Sequence, residues 1–172
     1  MVMWSAVGTP QVINGKERIL TNHEETGWAL YGPYETFEPG TYRVEFSLSL
    51  VSPTAEFPPH MTTCQLDVCA NAASVLASRL VSVSVIKQNV GPISLYFTVA
   101  EKSSLEFRIL VKGVPLAIVC DRPVFRIAPE DGVLVAGADH GNPLLRECIG
   151  QFMHLCNNGG RIVSTTDGIV ID

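Results

Sequence analysis

The chain reads as an all-β protein, an antiparallel β-sandwich of jelly-roll type with one C-terminal α-helix. Three observations predict it. Apolar and polar residues alternate with period two over 42–50, 93–99 and 105–111, and such alternation marks strands with one face buried. Gly/Pro turn signals separate these stretches, as in sandwiches and barrels. Helical spacing sustained over several turns occurs once, between Pro143 and Cys156, so the crossover helices of a parallel sheet are missing.

Taken in order, Gln11-Val12-Ile13 forms a short strand, and Asn14-Gly15 turns it into a hairpin with Glu17 to Thr21. Gly27 to Tyr31 is a second candidate, broken at Gly32-Pro33. Pro39-Gly40 then introduces the strand Tyr42 to Leu50. Tyr42, Val44, Phe46, Leu48 and Leu50 lie on its core face, with Thr41, Arg43, Glu45, Ser47 and Ser49 opposite. The three prolines of VSPTAEFPPHMTT make a surface loop. In Cys64 to Ala70, Leu66 and Val68 face one way and Gln65, Asp67 and Cys69 the other; Asn71-Ala72-Ala73 turns the chain. Ser74 to Ile86 is read as strand throughout, on the strength of its β-branched VSVSV run.

Ile93 to Val99 and Leu105 to Val111 repeat the alternation, with Glu106 and Arg108 on the non-core face of the latter. Leu116 to Cys120 and Val124 to Ile127 are the last strands of the sandwich. Asn142 caps a helix that starts at Pro143 and carries Leu145, Cys148, Ile149 and Phe152 on one stripe. Asn157-Asn158-Gly159-Gly160 stops it, and RIVSTTDGIVID supplies one or two terminal strands. The expected organisation is a sandwich over 1–128 and an extension over 129–172 packed on the same domain.

At 172 residues and 47% hydrophobic, the chain has the material for one domain with a substantial core. A net charge of −5 without clustered Lys and Arg argues against nucleic acid as a partner. No apolar run reaches membrane-span length. The opening MVMWSAVGTPQV lacks a positive flank and an apolar core of signal-peptide length, and the five cysteines lack framework spacing. Cytoplasm is the expected compartment.

Chemistry-bearing motifs are sparse. His60, Cys64 and Cys69, and again Cys148, His154 and Cys156, cluster in sequence without the paired spacing of structural zinc, so buried thiols are the better reading. No cofactor is expected, although Glu24-Glu25 or Glu130-Asp131 would suit a structural calcium. Asp139-His140-Gly141 offers a general base in a loop, a pattern common without catalysis. A polar ladder says more. Arg43 with Glu45, and Glu106 with Arg108, occupy the non-core faces of two strands, and would pair across the sheet if those strands are neighbours. With Trp28, Tyr31 or Tyr34 alongside, such a ladder would hold a sugar. Its bland counterpart is a solvated face with weak ion pairs.

Gly27, Tyr31-Gly32-Pro33-Tyr34, Pro39-Gly40, Tyr42, Val44 and Phe46 resemble the accessory, carbohydrate-binding-type β-sandwich of bacterial surface-glycan synthesis proteins. Asp67-Val68 and Leu105-Glu106-Phe107-Arg108 are consistent with that resemblance. It implies a non-catalytic binding module for a glycan, with Trp28, Tyr34, Arg43, Glu45, Glu106 and Arg108 as the ligand-binding set. Two alternatives stand beside it. One is a small β-sandwich hydrolase or lyase using Asp139 or His140, and the other an assembly module without sugar. A homodimer through the C-terminal helix and strand is a further expectation, since an open sandwich must cover or share its edges.

Overall fold

A computed structural model describes residues 5–54, 56–89 and 91–127, together with the backbone of strands at 162–165 and 168–171. The chain begins with β1 (Thr9–Ile13), β2 (Lys16–Leu20), β3 (Thr26–Leu30), β4 (Pro33–Phe37), β5 (Gly40–Phe46) and β6 (Leu48–Leu50). Then come β7 (Thr62–Ala70), β8 (Ser74–Ser82), α1 (Val83–Gln88), β9 (Ile93–Val99) and β10 (Ser103–Lys112). β11 (Leu116–Val119), β12 (Val124–Arg126), β13 (Ile162–Thr165) and β14 (Gly168–Ile171) are the last of the described elements. All pairings are antiparallel. One sheet runs β3–β10–β7–β8, with β4 sharing the β3 edge of β10. Another runs β12–β5–β9, and a third β1–β2–β11–β6.

Large side chains from both layers meet in the core. Phe107 of β10 lies 5.9 Å from Phe97 of β9 and 5.8 Å, edge-on, from Phe37. Tyr42 of β5 stacks on Phe97 at 5.6 Å and gives its hydroxyl to the Glu38 carbonyl at 2.8 Å. Aromatic pairs at such separations add to the burial of their area. Around them Leu30, Leu66, Leu95, Leu105 and Ile109 are fully buried.

Most of the expected strands are present, and the Asn14-Gly15 turn has the positive φ angles, 52° and 73°, of a tight hairpin. Three expectations need correction. The 42–50 stretch is two strands: β5 pairs with β9 and β12, whereas β6 pairs with β11 in another sheet. Val44, Phe46 and Leu50 are all buried across this change, so alternation stays in phase while the partner changes. Residues 83–88 are helix, where strand was expected as far as Ile86. Ser82 caps α1 by accepting the Val85 N–H at 3.4 Å, and Val83 and Ile86, three apart, are buried. The Val83 and Ser84 amides bond to the carbonyls of Met61 and Pro59, both at 2.9 Å, so tertiary contacts override β propensity. The third correction is β4, which begins at Pro33 itself, where the sequence suggested only a break.

The expected helix at 143–156 lies outside the described residues, as does the boundary at 128–129. The two terminal strands pair with each other, Ile162 opposite Ile171 and Thr165 opposite Gly168.

Candidate functional site

The outer face of the β3–β10–β7–β8 sheet carries a polar cluster beside an aromatic ring. Arg108 sits opposite Asp67 in the β10–β7 register. Its Nε donates to Asp67 Oδ1 at 2.6 Å and its Nη2 to Oδ2 at 3.0 Å. These bonds raise the pKa of Arg108 further, its desolvation opposing. The Asp67 side chain is 2% exposed and that of Arg108 18%. The pair is therefore locked and mostly dry, with one edge of the guanidinium reaching solvent.

The same guanidinium lies 4.7 Å from the centroid of the Trp28 ring, a cation–π contact. Trp28 reaches it because the β10–β3 register slips between Ile109 and Leu110. Leu30 pairs with Ile109 and Trp28 with Leu110, leaving Ala29 as the extra residue. Ala29 and Leu30 are then both buried, while Trp28 turns outward.

A second slip, between Leu105 and Glu106, does the same for Tyr34 on β4. Glu35 pairs with Leu105 and Pro33 with Glu106, so Tyr34 is extra, at φ 64° and 45% exposed. Its phenol is raised in pKa, first by desolvation and then by the nearby negative charge of Glu106. Glu106 itself is 5% exposed. Gln65, one pleat along β7 from Asp67, donates its amide to Ser78 at 3.2 Å. The result is a row of polar side chains on the outer face, of which Arg108 and Asp67 are fixed by paired bonds, with Trp28 under the guanidinium and Tyr34 near Glu106.

Trp28, Tyr34, Glu106 and Arg108 thus come together, and Arg43 and Glu45 do not join them. Those two lie on β5, in the other layer, and the expected charge ladder between Arg43/Glu45 and Glu106/Arg108 does not form. Arg43 pairs with Glu45 on its own strand at 3.1 Å and covers Phe125 at 4.8 Å. The true partner of Arg108 is Asp67, placed by the sequence on an outward face but left out of the expected set. Alternation gave its face, and only the strand order could give its neighbour.

Elsewhere, a cleft of about 490 Å³ lies between the β1–β2 hairpin and the β11–β12 link, lined by Lys16, Glu17, Ser47, Cys120 and Asp121. Among the described residues no three His, Cys, Asp or Glu side chains are grouped to hold a metal. Glu25 accepts the Asn22 amide at 2.7 Å. Glu130-Asp131, Asp139 and His140 lie outside the described residues. No described helix is long and apolar enough to cross a membrane.

With this geometry in hand, the chain can be set beside known proteins. A CBM4 carbohydrate-binding module superposes with a TM-score of 0.50 at 11% identity, over 73% of this chain and 94% of that one. The fold is that of a carbohydrate-binding-module sandwich. The C-terminal CBM6 of LamC, a laminarinase from Zobellia galactanivorans, aligns at TM-score 0.47 and 16% identity over 72% of this chain and 91% of its own. An accessory secretory protein 1, 2 and 3 structure from Streptococcus pneumoniae aligns at 0.46 and 7%, over 72% of this chain and 95% of that one. No family model and no curated protein matches the sequence.

Proposed function

We propose that this protein is a non-catalytic carbohydrate-binding module, acting in the cytoplasm within a glycan or cell-surface polysaccharide synthesis pathway. One observation carries the reading: a guanidinium fixed by two bonds to Asp67 lies over the ring of Trp28, which is itself only partly buried. The apolar face of a pyranose needs a ring to rest on, and its hydroxyls need planar partners that are already oriented. Preorganised groups avoid the entropy cost of being ordered on binding. Glu106 and Tyr34 extend the polar row, and the sandwich shared with a carbohydrate-binding module supports the assignment. The free thiols of Cys64, Cys69 and Cys120 accord with a reducing compartment.

The test is a glycan array probed with the wild-type chain, Trp28→Ala, and the paired variant Asp67→Asn/Arg108→Gln, with thermal unfolding recorded for each. The wild type should retain a defined glycan without releasing product. Trp28→Ala, at unchanged stability, should weaken retention at least about tenfold, as for a binding hot spot. A wild type that retains nothing, or a Trp28→Ala chain that binds equally well, rejects the reading. Product released by the wild type and lost in His140→Ala would make the protein an enzyme instead.

A further inference from the structure

The charges beside Trp28 do not cancel, and the remainder bears on what can bind there. Asp67 takes the Nε and Nη2 donors of Arg108 and neutralises it. Glu106, two residues earlier on β10 and so on the same face, adds a second carboxylate. Glu106 is 5% exposed. Among the described residues the ion pairs are Arg43–Glu45, Lys102–Glu38 and Arg108–Asp67, so Glu106 has none of its own. The next cation along this face of β10 is Lys112. At 3.4 Å per residue it stands about 20 Å from Glu106, roughly twice the Debye length at ordinary salt. Tyr34 and Cys69 stay neutral close by, the pKa of each raised first by desolvation. The face therefore keeps a net negative charge. Buried charges are as a rule paired, and this one lacks a cation.

We propose that the ligand of this face is a glycan of amino sugars with free ammonium groups, and that Glu106 sets the preference. The proposal rests on the function proposed above and narrows it to a ligand class. An acidic sugar, such as a uronate, meets the excess negative charge. The guanidinium that would receive its carboxylate has already given two donors to Asp67. A neutral sugar gains only the ring of Trp28 and hydrogen bonds. An ammonium gains the attraction of Glu106 as well, and that attraction is stronger near dry protein than in bulk water.

Arg108, with Trp28 beneath it, lies about 7 Å from Glu106 along the strand, measured between backbone positions. A sugar resting against the ring thus brings its substituents toward the carboxylate. The net charge of −5 on the whole chain acts in the same sense, drawing cationic polymers in and holding anionic ones off.

Titration calorimetry of the full chain tests it, with three oligosaccharides of equal length in mildly acidic, low-salt buffer. They are a β-1,4-linked glucosamine oligomer, its N-acetylated form and a uronic acid oligomer. The glucosamine oligomer should bind at least about tenfold more tightly than the N-acetylated one, and the uronate most weakly. Added salt should narrow the gap. Glu106→Gln should remove most of the preference, and Glu106→Asp, which keeps the charge, should retain it. An N-acetylated or uronate oligomer that binds as tightly as the free amine overturns the proposal, as does a preference that salt leaves unchanged. So does a folded Glu106→Gln chain with the preference intact. These outcomes leave the module reading standing. If the wild type binds none of the three and retains nothing on the glycan array, both readings fall.

Discussion

Arg108 and Asp67 face each other from the middle of two neighbouring antiparallel strands, joined by bonds of 2.6 and 3.0 Å. The carboxylate is far more buried than the guanidinium, so the two ends of the pair respond differently to mutation.

Removing the cation alone strands a buried negative charge. Arg108→Ala should therefore lose about 3 kcal/mol, in the range for breaking a buried pair from one side. Asp67→Asn/Arg108→Gln, which removes both charges, should lose clearly less. Urea unfolding of the two variants gives the comparison. Equal losses would mean that solvent screens the pair and that burial of Asp67 matters little.

Alkali should weaken the fold through Cys64. Burial pushes this thiol up to about 12, whereas in the unfolded chain it titrates near its ordinary value. With the folded pKa above the unfolded one, the stabilising contribution is complete below the unfolded value. It is lost as pH rises toward the folded value. By pH 10.5 the loss from this thiol should reach about 2 kcal/mol, at 1.36 kcal/mol per pH unit. Urea midpoints at pH 8 and 10.5 should differ less in Cys64→Ala than in the wild type.

Phe107 bridges the layers through Phe37 and Phe97. Phe107→Ala opens a cavity in the middle of the sandwich and should cost about 3–5 kcal/mol. Calorimetry should show it as a large fall in Tm. A small change would mean that the ring cluster collapses to fill the space.

Gly15 offers a backbone test free of packing. A Cβ added there meets nothing within 4 Å, yet the residue sits at φ 73°. Gly15→Ala should destabilise by about 1 kcal/mol from left-handed strain alone. Gly15→Asn, better tolerated in that conformation, should recover part of the loss.

The fold was legible because it rests on signals of short range. Alternation named the buried faces of β5, β7, β9 and β10, and Asn14-Gly15 named its hairpin. Signals of longer range were not available. Nothing between Phe46 and Leu48 announces a change of sheet, because the buried side stays the same. In VSVSVI the same residues satisfy a strand and a short helix, and the cap at Ser82 with the ties to Met61 and Pro59 decides. At the site, the sequence supplied Trp28, Tyr34, Glu106 and Arg108 but joined them to Arg43 and Glu45, because period two gives a face and no neighbour. The two register slips that turn Trp28 and Tyr34 outward break the alternation that would have located them.

The position of Trp28 under Arg108 has an optical consequence. The chain contains two tryptophans, and Trp4 lies outside the described residues. In a Trp4→Phe chain all indole emission therefore comes from the ring beneath the guanidinium. Under the proposed function, a sugar settling against that ring would displace water from its edge and move the emission maximum to shorter wavelength. Occupancy of the proposed site would then be read as light, with no label attached.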